Sequence, residues 1–508
     1  MPDYTCNPPD FLPPKYKKLD DYDYYERKTS NTIHITAEIE GLVGRLGYTG
    51  QFSCSGFKYS CTKNKEADFC AIQVEDGGEN QFVKNQLREE LLCVVVNAEQ
   101  NLNYQLSYSS KYSLLSKVTK AFHDKLTDDD KRVDKLKELF QNIQNTFLEV
   151  KEFETFNSNM SAIAGQMLSN MSHALQFDFS AYDPSNYFKT LRVQPTENGK
   201  TRAMEELGTG QQQILALSFA HAYAKSFLGQ GLIFILDEPE AHLHPLAQKW
   251  LAKQMFQMAK DGLQIVITSH SPHFINLEFL ENIYLVKKYT STTVCNVSAN
   301  TLTEYCKKTG AAKADENTII PFYASHSKTH ILNGFFANKI ILVEGETEEL
   351  VLSVYLDTMG LDTLREGIAI IGVGGKGNLA KWWRLFTSFK IPTFVCFDND
   401  TSDDGSGIKR KDALKAIGIV DNLENLLTIE DWNVSSKYCV FGLDFENTMR
   451  NSFKNYTTYE AEEKVHLGDS KPIIAKAVAE RLQPDYLFDE DEGWKKFLEL
   501  KQAILELR

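Results

Sequence analysis

Acidic residues follow two apolar segments in the C-terminal half of the chain. In "KIILVEGETEEL", Glu344 ends a predicted strand and Glu348 lies one helical turn further on, so their carboxylates share a face. In "PTFVCFDND", Asp398 and Asp400 are alternate residues at the end of a later strand, and they point the same way. Acids at neighbouring strand tips repel one another unless cations lie between them. The pattern therefore predicts a site for divalent cations.

Three segments in the first part of the chain carry groups suited to a bound nucleotide. In "LIFILDEPEAHLHP", Asp237 emerges from a buried strand where it can hold magnesium, and Glu238 can polarise an attacking water. In "ELGTGQQQILALSFAHAYAK", glycines open a helix whose free N–H groups and dipole face any anion placed there. In "LQIVITSHSP", His270 ends an apolar strand and is placed to sense a γ-phosphate.

A phosphate-binding loop with a lysine should accompany these segments, but the chain has no G-x-x-x-x-G-K-[ST] motif. "GVGGKGN" (Gly372 to Asn378) lacks the spacing and the closing Ser or Thr, and it belongs to a different domain. We expect that an N-terminal strand and loop are missing, through truncation or a late start codon. The alternative is a domain that has lost ATP hydrolysis and survives as a scaffold. Zinc at His242 and His244 is disfavoured, because no matching Cys or His pair lies nearby.

Length and composition are those of a multidomain globular protein. The chain has 508 residues, of which 42% are hydrophobic and 24% charged, enough for two or three domains. The apolar runs are of strand length, and no signal peptide is recognisable, so no membrane association is expected. Nine scattered cysteines suit reduced thiols in a cytoplasm. The net charge of −14 argues only weakly against a nucleic-acid substrate, since bound metal ions can attract phosphates to a protein that is acidic overall.

Helical and strand patterns divide the chain. Short β-forming segments fill much of residues 31–95. Apolar residues from Val133 to Phe153 then recur at spacings of three and four, which predicts one long amphipathic helix, paired with the segment from Lys111 to Leu126. This helix packs either on its own domain or along a dimer seam. Strands alternate with helices from Ala203 to Lys288 and again from Lys339 to about Val440, as in parallel sheets.

In order and spacing, the nucleotide-site segments resemble an ABC-type ATPase head of the RecF, SMC and OLD branch, with signature loop, Walker B and switch histidine. The acidic segments resemble a TOPRIM domain. An ABC-type head followed directly by TOPRIM is the arrangement of the OLD (overcoming lysogenisation defect) nucleases, and "SYSSKYSLLSKVTKAFH" is also similar to that family. The resemblance implies an α/β fold, with an N-terminally incomplete head, a helical insertion and a Rossmann-like parallel sheet. The implied domains are 1–100 (remainder of the N-terminal ATPase lobe), 101–190 (helical insertion, possible dimerisation), 191–330 (C-terminal ATPase lobe) and 331–508 (TOPRIM with C-terminal helices).

Further site residues follow from the resemblance. Glu446 in "GLDFENTM" would be another metal ligand, preferred over Asp444, which suits a turn equally well. Lys471, in "DSKPIIAKAVAERL", would stabilise phosphate charge, so that Lys471, Glu344 and Asp398 are the implied catalytic residues. The implied ATP-site residues are Gly208, Thr209, Gly210, Gln211, Asp237, Glu238 and His270. The basic run Lys409, Arg410 and Lys411 predicts contacts to the DNA backbone, with a solvated helix start as the alternative.

The leading hypothesis is a cytoplasmic DNA endonuclease with a two-metal Mg²⁺ or Mn²⁺ site, gated by an ABC-type head and assembled as a homodimer or larger homo-oligomer. Without the missing N-terminal loop, we expect ATP binding by this chain to be impaired or absent, and we do not expect it to act as an ATPase on its own. The family resemblance alone implies antiphage defence, with a helicase or reverse transcriptase of the same system as a possible partner. The second hypothesis is a non-catalytic sensor that binds DNA or a protein partner. A primase or topoisomerase is disfavoured, because the sequence has no zinc ribbon and no convincing catalytic-tyrosine module.

Overall fold

The chain folds into two compact units, Met1–Ser269 and His270–Arg508, in a computed structural model. Each unit contains both helices and sheets, which confirms the predicted α/β class. The structure describes residues 21–41, 48–49, 52–63, 68–74, 79–82, 93–97, 114–167, 193, 196–197, 199–201, 206–223, 226, 233–288, 290–400, 404–421, 423, 432–487 and 491–507.

The first unit contains an antiparallel sheet and a short parallel sheet in its described part. The antiparallel sheet runs β1-β3-β4-β5 with β2 paired to β3, and the parallel sheet runs β10-β9-β6. The short strands β7 and β8 form a hairpin. The strands are β1 (Ile33–Glu38), β2 (Tyr48–Thr49), β3 (Phe52–Cys61), β4 (Asp68–Gln73), β5 (Glu79–Phe82), β6 (Cys93–Asn97), β7 (Thr196–Glu197), β8 (Lys200–Thr201), β9 (Ile233–Asp237) and β10 (Gln264–Thr268).

Helices of the first unit depart from the prediction at one point. The single helix expected through Phe153 is two helices, separated by a turn at Glu149 and Val150. Glu152 and Glu154 lie in the first turn of the second helix, where negative charge stabilises a new N-terminus. The helices are α1 (Leu114–Thr127), α2 (Asp130–Leu148), α3 (Lys151–Met167), α4 (Thr209–Tyr223) and α5 (Pro245–Lys260), with 3₁₀ turns at Asp21–Asp23 and Tyr25–Arg27.

A five-stranded sheet, ordered β14-β13-β15-β17-β16, forms the centre of the second unit. Its strands are parallel except β16, which pairs with β17 in the antiparallel sense. The segments "KIILVEG", "IAIIGVG" and "PTFVCFDND" supply β13, β14 and β15, as the sequence predicts. The strands are β11 (Tyr284–Lys288) and β12 (Thr292–Asn296), which form a separate hairpin, then β13 (Lys339–Val343), β14 (Ile368–Gly372), β15 (Thr393–Asp398), β16 (Asn433–Val434) and β17 (Tyr438–Phe441).

Helices cover both faces of this sheet, and its central strands are mostly apolar as a result. Ile341 and Phe394 enter a core that includes residues of α9, α14 and α15. Ile340 and Val395 enter the opposite core, with residues of α6, α10 and α11. The helices are α6 (Ala299–Lys308), α7 (Glu316–His326), α8 (Thr329–Leu332), α9 (Glu346–Thr358), α10 (Lys376–Ser388), α11 (Ile408–Ala416), α12 (Phe445–Ser452), α13 (Tyr456–Leu467), α14 (Lys471–Leu482) and α15 (Glu492–Glu506). The 3₁₀ turns are Pro272–Phe274, Leu277–Asn282, Asn333–Phe336 and Gln483–Leu487.

The second unit starts earlier than the predicted TOPRIM boundary at residue 331. Leu302 of α6 and Tyr323 of α7 are buried in the same core as Trp382 of α10, so α6 and α7 pack with the five-stranded sheet. Seven cysteines of the described segments are free thiols. Among the helices that the structure describes, none is long and apolar enough to cross a membrane.

Candidate functional site

The carboxyl edge of the second sheet brings the predicted acids together. Because β13 and β15 are parallel neighbours, Glu344 and Asp398 meet where the two strands end. The backbone N–H of Asp398 donates to the Glu344 carboxylate at 2.7 Å. Asp398 pairs with Phe441 at the end of β17, and the chain then turns into α12, which carries Glu446 in its first turn. Glu348 lies in the first turn of α9 and is 6% exposed.

The buried carboxylates interact strongly with one another. Burial raises the pKa of Glu344 to about 7, although Lys376 and the Asp398 N–H oppose the rise. Burial also raises the pKa of Asp398 well above its ordinary value, and the charges of Glu348, Glu344 and Glu446 add to the shift. The pKa of Glu348 rises through burial and through Glu446. Anions packed this closely favour either a proton or a cation among them.

Lys376 is the cation that the described structure places at this edge, and the sequence analysis did not assign it to the site. Its ammonium lies 2.5 Å from an Asp400 oxygen and 3.6 Å from a Glu344 oxygen. Its side chain is only 1% exposed. Burial opposes the charge, but Glu344 and Asp400 outweigh it and raise the pKa of Lys376. The signal in the sequence is the lysine of "GVGGKGN", which directly follows the glycine-rich turn between the two acidic strands.

The glycine turn between β14 and α10 brings Lys376 to the acids. The Gly375 N–H donates to the Glu344 carbonyl at 2.8 Å, and its φ of +114° is rarely adopted by other residues. The Gly372 N–H donates to the Glu349 carboxylate at 3.1 Å. A Cβ at position 372 would lie 2.6 Å from that carboxylate and 2.9 Å from the Gly345 carbonyl. The turn therefore requires glycine at both positions.

The donor set at this edge fits a divalent cation. One oxygen of Asp398, Oδ1, is buried without a hydrogen-bond partner. Carboxylate oxygens are the ligands preferred by Mg²⁺ and Mn²⁺. Within the described residues, however, no three acidic, His or Cys side chains are already arranged around one metal position.

The remaining predicted residues of this site lie at helix starts. Asp444 caps α12 by accepting from the Asn447 N–H at 2.6 Å. Glu446 is then the acid of this segment that faces the cluster, and its charge raises the pKa of Glu348. Lys471 is the exposed first residue of α14. Within the part of the chain that the structure describes, no ion pair joins Lys471 to the acids, and its role stays a prediction.

The predicted DNA-contact run starts α11, and its three side chains differ. Arg410 is 3% exposed and donates to the Asn399 carbonyl at 2.7 Å, to the Asn399 side chain at 2.6 Å and to Asp404 at 3.2 Å. This side chain ties the end of β15 to α11, and its burial argues against the predicted DNA contact, which stays a prediction. Lys409 and Lys411 are half-buried, and their predicted contact is untested.

The nucleotide-site motifs of the first unit meet at the ends of β9 and β10. Asp237 and Thr268 are paired in register, and the Thr268 hydroxyl donates to the Asp237 carboxylate. The Glu238 N–H donates to the Thr268 carbonyl at 3.0 Å, with Glu238 in the left-handed region at φ +45°. Ser269 donates to the buried Glu240 at 2.6 Å. Thr268 and Glu240 were not predicted, although both lie within the quoted motifs.

The glycine loop contacts the segment that follows β9. A Cβ at Gly210 would lie 2.3 Å from a Leu243 methyl, so the start of α4 packs closely there. Gly208 and Gln211 are exposed, and Thr209 is the first residue of α4. His244 caps α5 by accepting from the Ala247 N–H at 3.3 Å, which gives it a structural role in place of zinc binding. His270 is an exposed residue at the start of the second unit.

Comparison with known families agrees with both halves of the structure. Residues 16–275, more than half of the chain, match the AAA ATPase domain family. Residues 335–400 match the family described as "Overcoming lysogenization defect protein-like, TOPRIM domain". The chain belongs to the AAA ATPase family and carries an OLD-like TOPRIM domain. This confirms the OLD arrangement that the sequence motifs predict.

Three relatives show how far the similarity of this OLD-like chain extends. It is 25% identical over 395 residues to the "OLD nuclease" of Thermus scotoductus, a match that covers 74% of the chain and 71% of that protein. It is 25% identical to the "Old nuclease" of Escherichia phage P2, covering 55% of the chain and 47% of that protein. It is 22% identical to "Endonuclease GajA" of Bacillus cereus, covering 53% of the chain and 42% of that protein. The match thus spans less than half the length of the last two relatives.

Proposed function

We propose that this chain is a metal-dependent DNA endonuclease, whose TOPRIM domain hydrolyses phosphodiester bonds and whose ATPase domain regulates that reaction. The observation that carries the proposal is the meeting of buried and half-buried carboxylates at one sheet edge, with Oδ1 of Asp398 buried and lacking a protein hydrogen-bond partner. The names of the relatives, nuclease and endonuclease, support the same reaction.

Different residues of the chain serve metal binding, stabilisation of phosphate charge and DNA contact in this proposal. Mg²⁺ or Mn²⁺ held at this edge would supply activation of the attacking water and stabilisation of the leaving oxygen. Lys471, exposed at the start of α14, stabilises the charge that develops on the phosphate. Lys409 and Lys411 contact the DNA backbone and fix its position. The metal ligands in this proposal are Glu344, Glu348, Asp398, Asp400 and Glu446.

The ATPase domain controls when cutting occurs in this proposal. Asp237 would hold the magnesium of a bound ATP, and Glu238 would orient water towards it. Gly208, Gly210 and the N-terminus of α4 face the phosphates of the nucleotide. The protein works as a homodimer or larger homo-oligomer in antiphage defence, with a helicase or reverse transcriptase as a candidate partner.

Nicking of supercoiled plasmid in Mn²⁺ or Mg²⁺ tests the nuclease function. We expect the unmodified chain to convert plasmid to nicked and linear forms, and Glu344→Gln and Lys471→Ala to stop the conversion. Glu346→Gln is the matched control, because Glu346 is an exposed acid two residues from Glu344. Normal cutting by Glu344→Gln would disprove the site assignment. DNA binding without cutting in any divalent metal would favour the non-catalytic sensor instead.

A further inference from the structure

Lys376 differs from a lysine that is positioned to meet a substrate. Its side chain is almost fully buried, and its ammonium lies between carboxylates of two different strand tips, Glu344 after β13 and Asp400 after β15. A substrate phosphate reaches a lysine through solvent, and this ammonium has 1% exposure. Lys376 therefore acts through the acids that it contacts.

The local backbone fixes the direction of the Lys376 side chain. The lysine is the first residue of α10, and the Gly375 N–H immediately before it is bonded to the Glu344 carbonyl. The Asn378 side chain donates to the Val373 carbonyl at 3.1 Å, which closes the turn on the other side. The Lys376 side chain therefore extends from a turn whose backbone is hydrogen-bonded to Glu344, at the end of β13.

A buried ammonium and two partly buried carboxylates stabilise one another only as a group. Lys376 supplies positive charge to the same oxygens that a divalent cation would need. A divalent cation close to Glu344 and Asp400 would be repelled by the Lys376 ammonium and would compete with it for the same carboxylate oxygens.

We propose that Lys376 is a positioning residue, an internal cation that holds Glu344 and Asp400 in the metal-free protein and competes with the divalent cation for them. This inference rests on the metal-dependent function proposed above. Through Lys376, the glycine turn between β14 and α10 would then set the affinity for the metal ion. The same turn would stabilise the fold of the metal-free protein.

Mn²⁺ binding to the chelator-treated full chain tests the proposal without reference to cutting. Lys376→Met keeps the length and apolar stem of the side chain and removes its charge. We expect Lys376→Met to bind Mn²⁺ about tenfold more tightly or better in titration calorimetry, since even in water a unit charge about 4 Å from a divalent ion weakens binding by about tenfold or more. We also expect a lower melting temperature without metal and a larger rise on adding Mn²⁺. A purely structural lysine would lower the melting temperature without tightening metal binding.

Lys381→Met is the matched control, because Lys381 lies on the same helix with its ammonium over the Phe322 ring, 4.1 Å from the ring centre. Its Mn²⁺ affinity should equal that of the unmodified chain. Equal or weaker Mn²⁺ binding by Lys376→Met overturns the inference while leaving the nuclease proposal in place. Absence of Mn²⁺ binding in both the unmodified chain and Lys376→Met overturns both. If Lys376→Met and Lys376→Gln do not fold without metal, folding on addition of Mn²⁺ supports the inference, and failure to fold contradicts it.

Discussion

Arg410 is predicted from sequence to contact DNA, but the structure places it in a buried ion pair with Asp404. Replacing Arg410 distinguishes a structural role from a role in DNA binding. Arg410→Met retains the apolar stem and removes the guanidinium. Asp404, which is 4% exposed, then loses its ion pair, and Asn399 loses the donor to its carbonyl and side-chain oxygens. Breaking a buried pair by removing one partner costs about 3–5 kcal/mol. Asp404 keeps the N–H groups of residues 409 and 410, at 3.1 and 3.0 Å, so we expect the lower end, about 3 kcal/mol.

Urea unfolding followed by tryptophan fluorescence measures this loss. Four of the five tryptophans, at positions 382, 383, 432 and 494, belong to the second unit, so the signal reports mainly on the fold around Arg410. A loss of about 3 kcal/mol lowers the urea midpoint by about 1 M or more. Lys411→Met is the control from the adjacent position, with an expected change of less than about 1 kcal/mol.

DNA binding under the same conditions completes the test of Arg410. Removing a side chain that contacts a phosphate lowers the slope of log binding constant against log salt concentration by about one. We expect Arg410→Met to leave that salt dependence unchanged wherever the variant is folded. An unchanged urea midpoint together with weaker, less salt-dependent DNA binding would refute the structural role and restore the predicted DNA contact.

Three further predictions concern the two candidate sites. Asp398→Asn should raise the melting temperature of the metal-free protein at neutral pH and abolish cutting, because it removes a buried carboxyl whose pKa burial raises. The raised pKa of Glu344, about 7, means that the folded state binds its proton more tightly than the unfolded state. Metal-free stability should therefore fall as pH rises from about 4.5 to about 7, and Glu344→Gln should remove this part of the dependence in pH-dependent melting. Thr268→Val loses the hydroxyl that donates to Asp237 and should lower the free energy of unfolding in urea by about 1 kcal/mol. Thr268→Ser keeps the hydroxyl and should not lower it. Equal losses in the two variants would show that this hydrogen bond is unimportant.

The strand tips of the second sheet could be predicted from sequence because their signal is local. An apolar run such as that before Glu344 becomes a buried parallel strand, and acids directly after it fall at the carboxyl edge of the sheet. The meeting of Glu344 with Asp398 follows from the same argument, once β13 and β15 are adjacent. Local patterns therefore predicted the strands and the grouping of the acids.

Lys376 and Arg410 could not be predicted in the same way, because their partners are distant in sequence. Lys376 meets Asp400 across 24 positions, and only the folded turn shows that the lysine points towards the acids. The basic run at residues 409–411 predicts DNA contacts or a solvated helix start, but the Arg410 side chain is turned inward to Asn399. The periodicity that predicted one helix through Phe153 likewise gave no sign of the turn at Val150. In each case the missing information was a long-range pairing or a change of direction, which composition and spacing do not record.

The distribution of buried cations bears on how an acidic protein would bind DNA. Lys376, Arg384 and Arg410 are each buried and paired with a carboxylate of a neighbouring segment, Asp400, Asp412 and Asp404 respectively. Their charges are neutralised inside the second unit and contribute little to the field outside it. In a chain of net charge −14, the proposed attraction for a phosphate backbone would then rely on other cations, among them exposed Lys471 and divalent cations at the carboxylate edge. Metal loading would on this argument affect the binding of DNA as well as its cleavage, and the competition proposed for Lys376 would act on both.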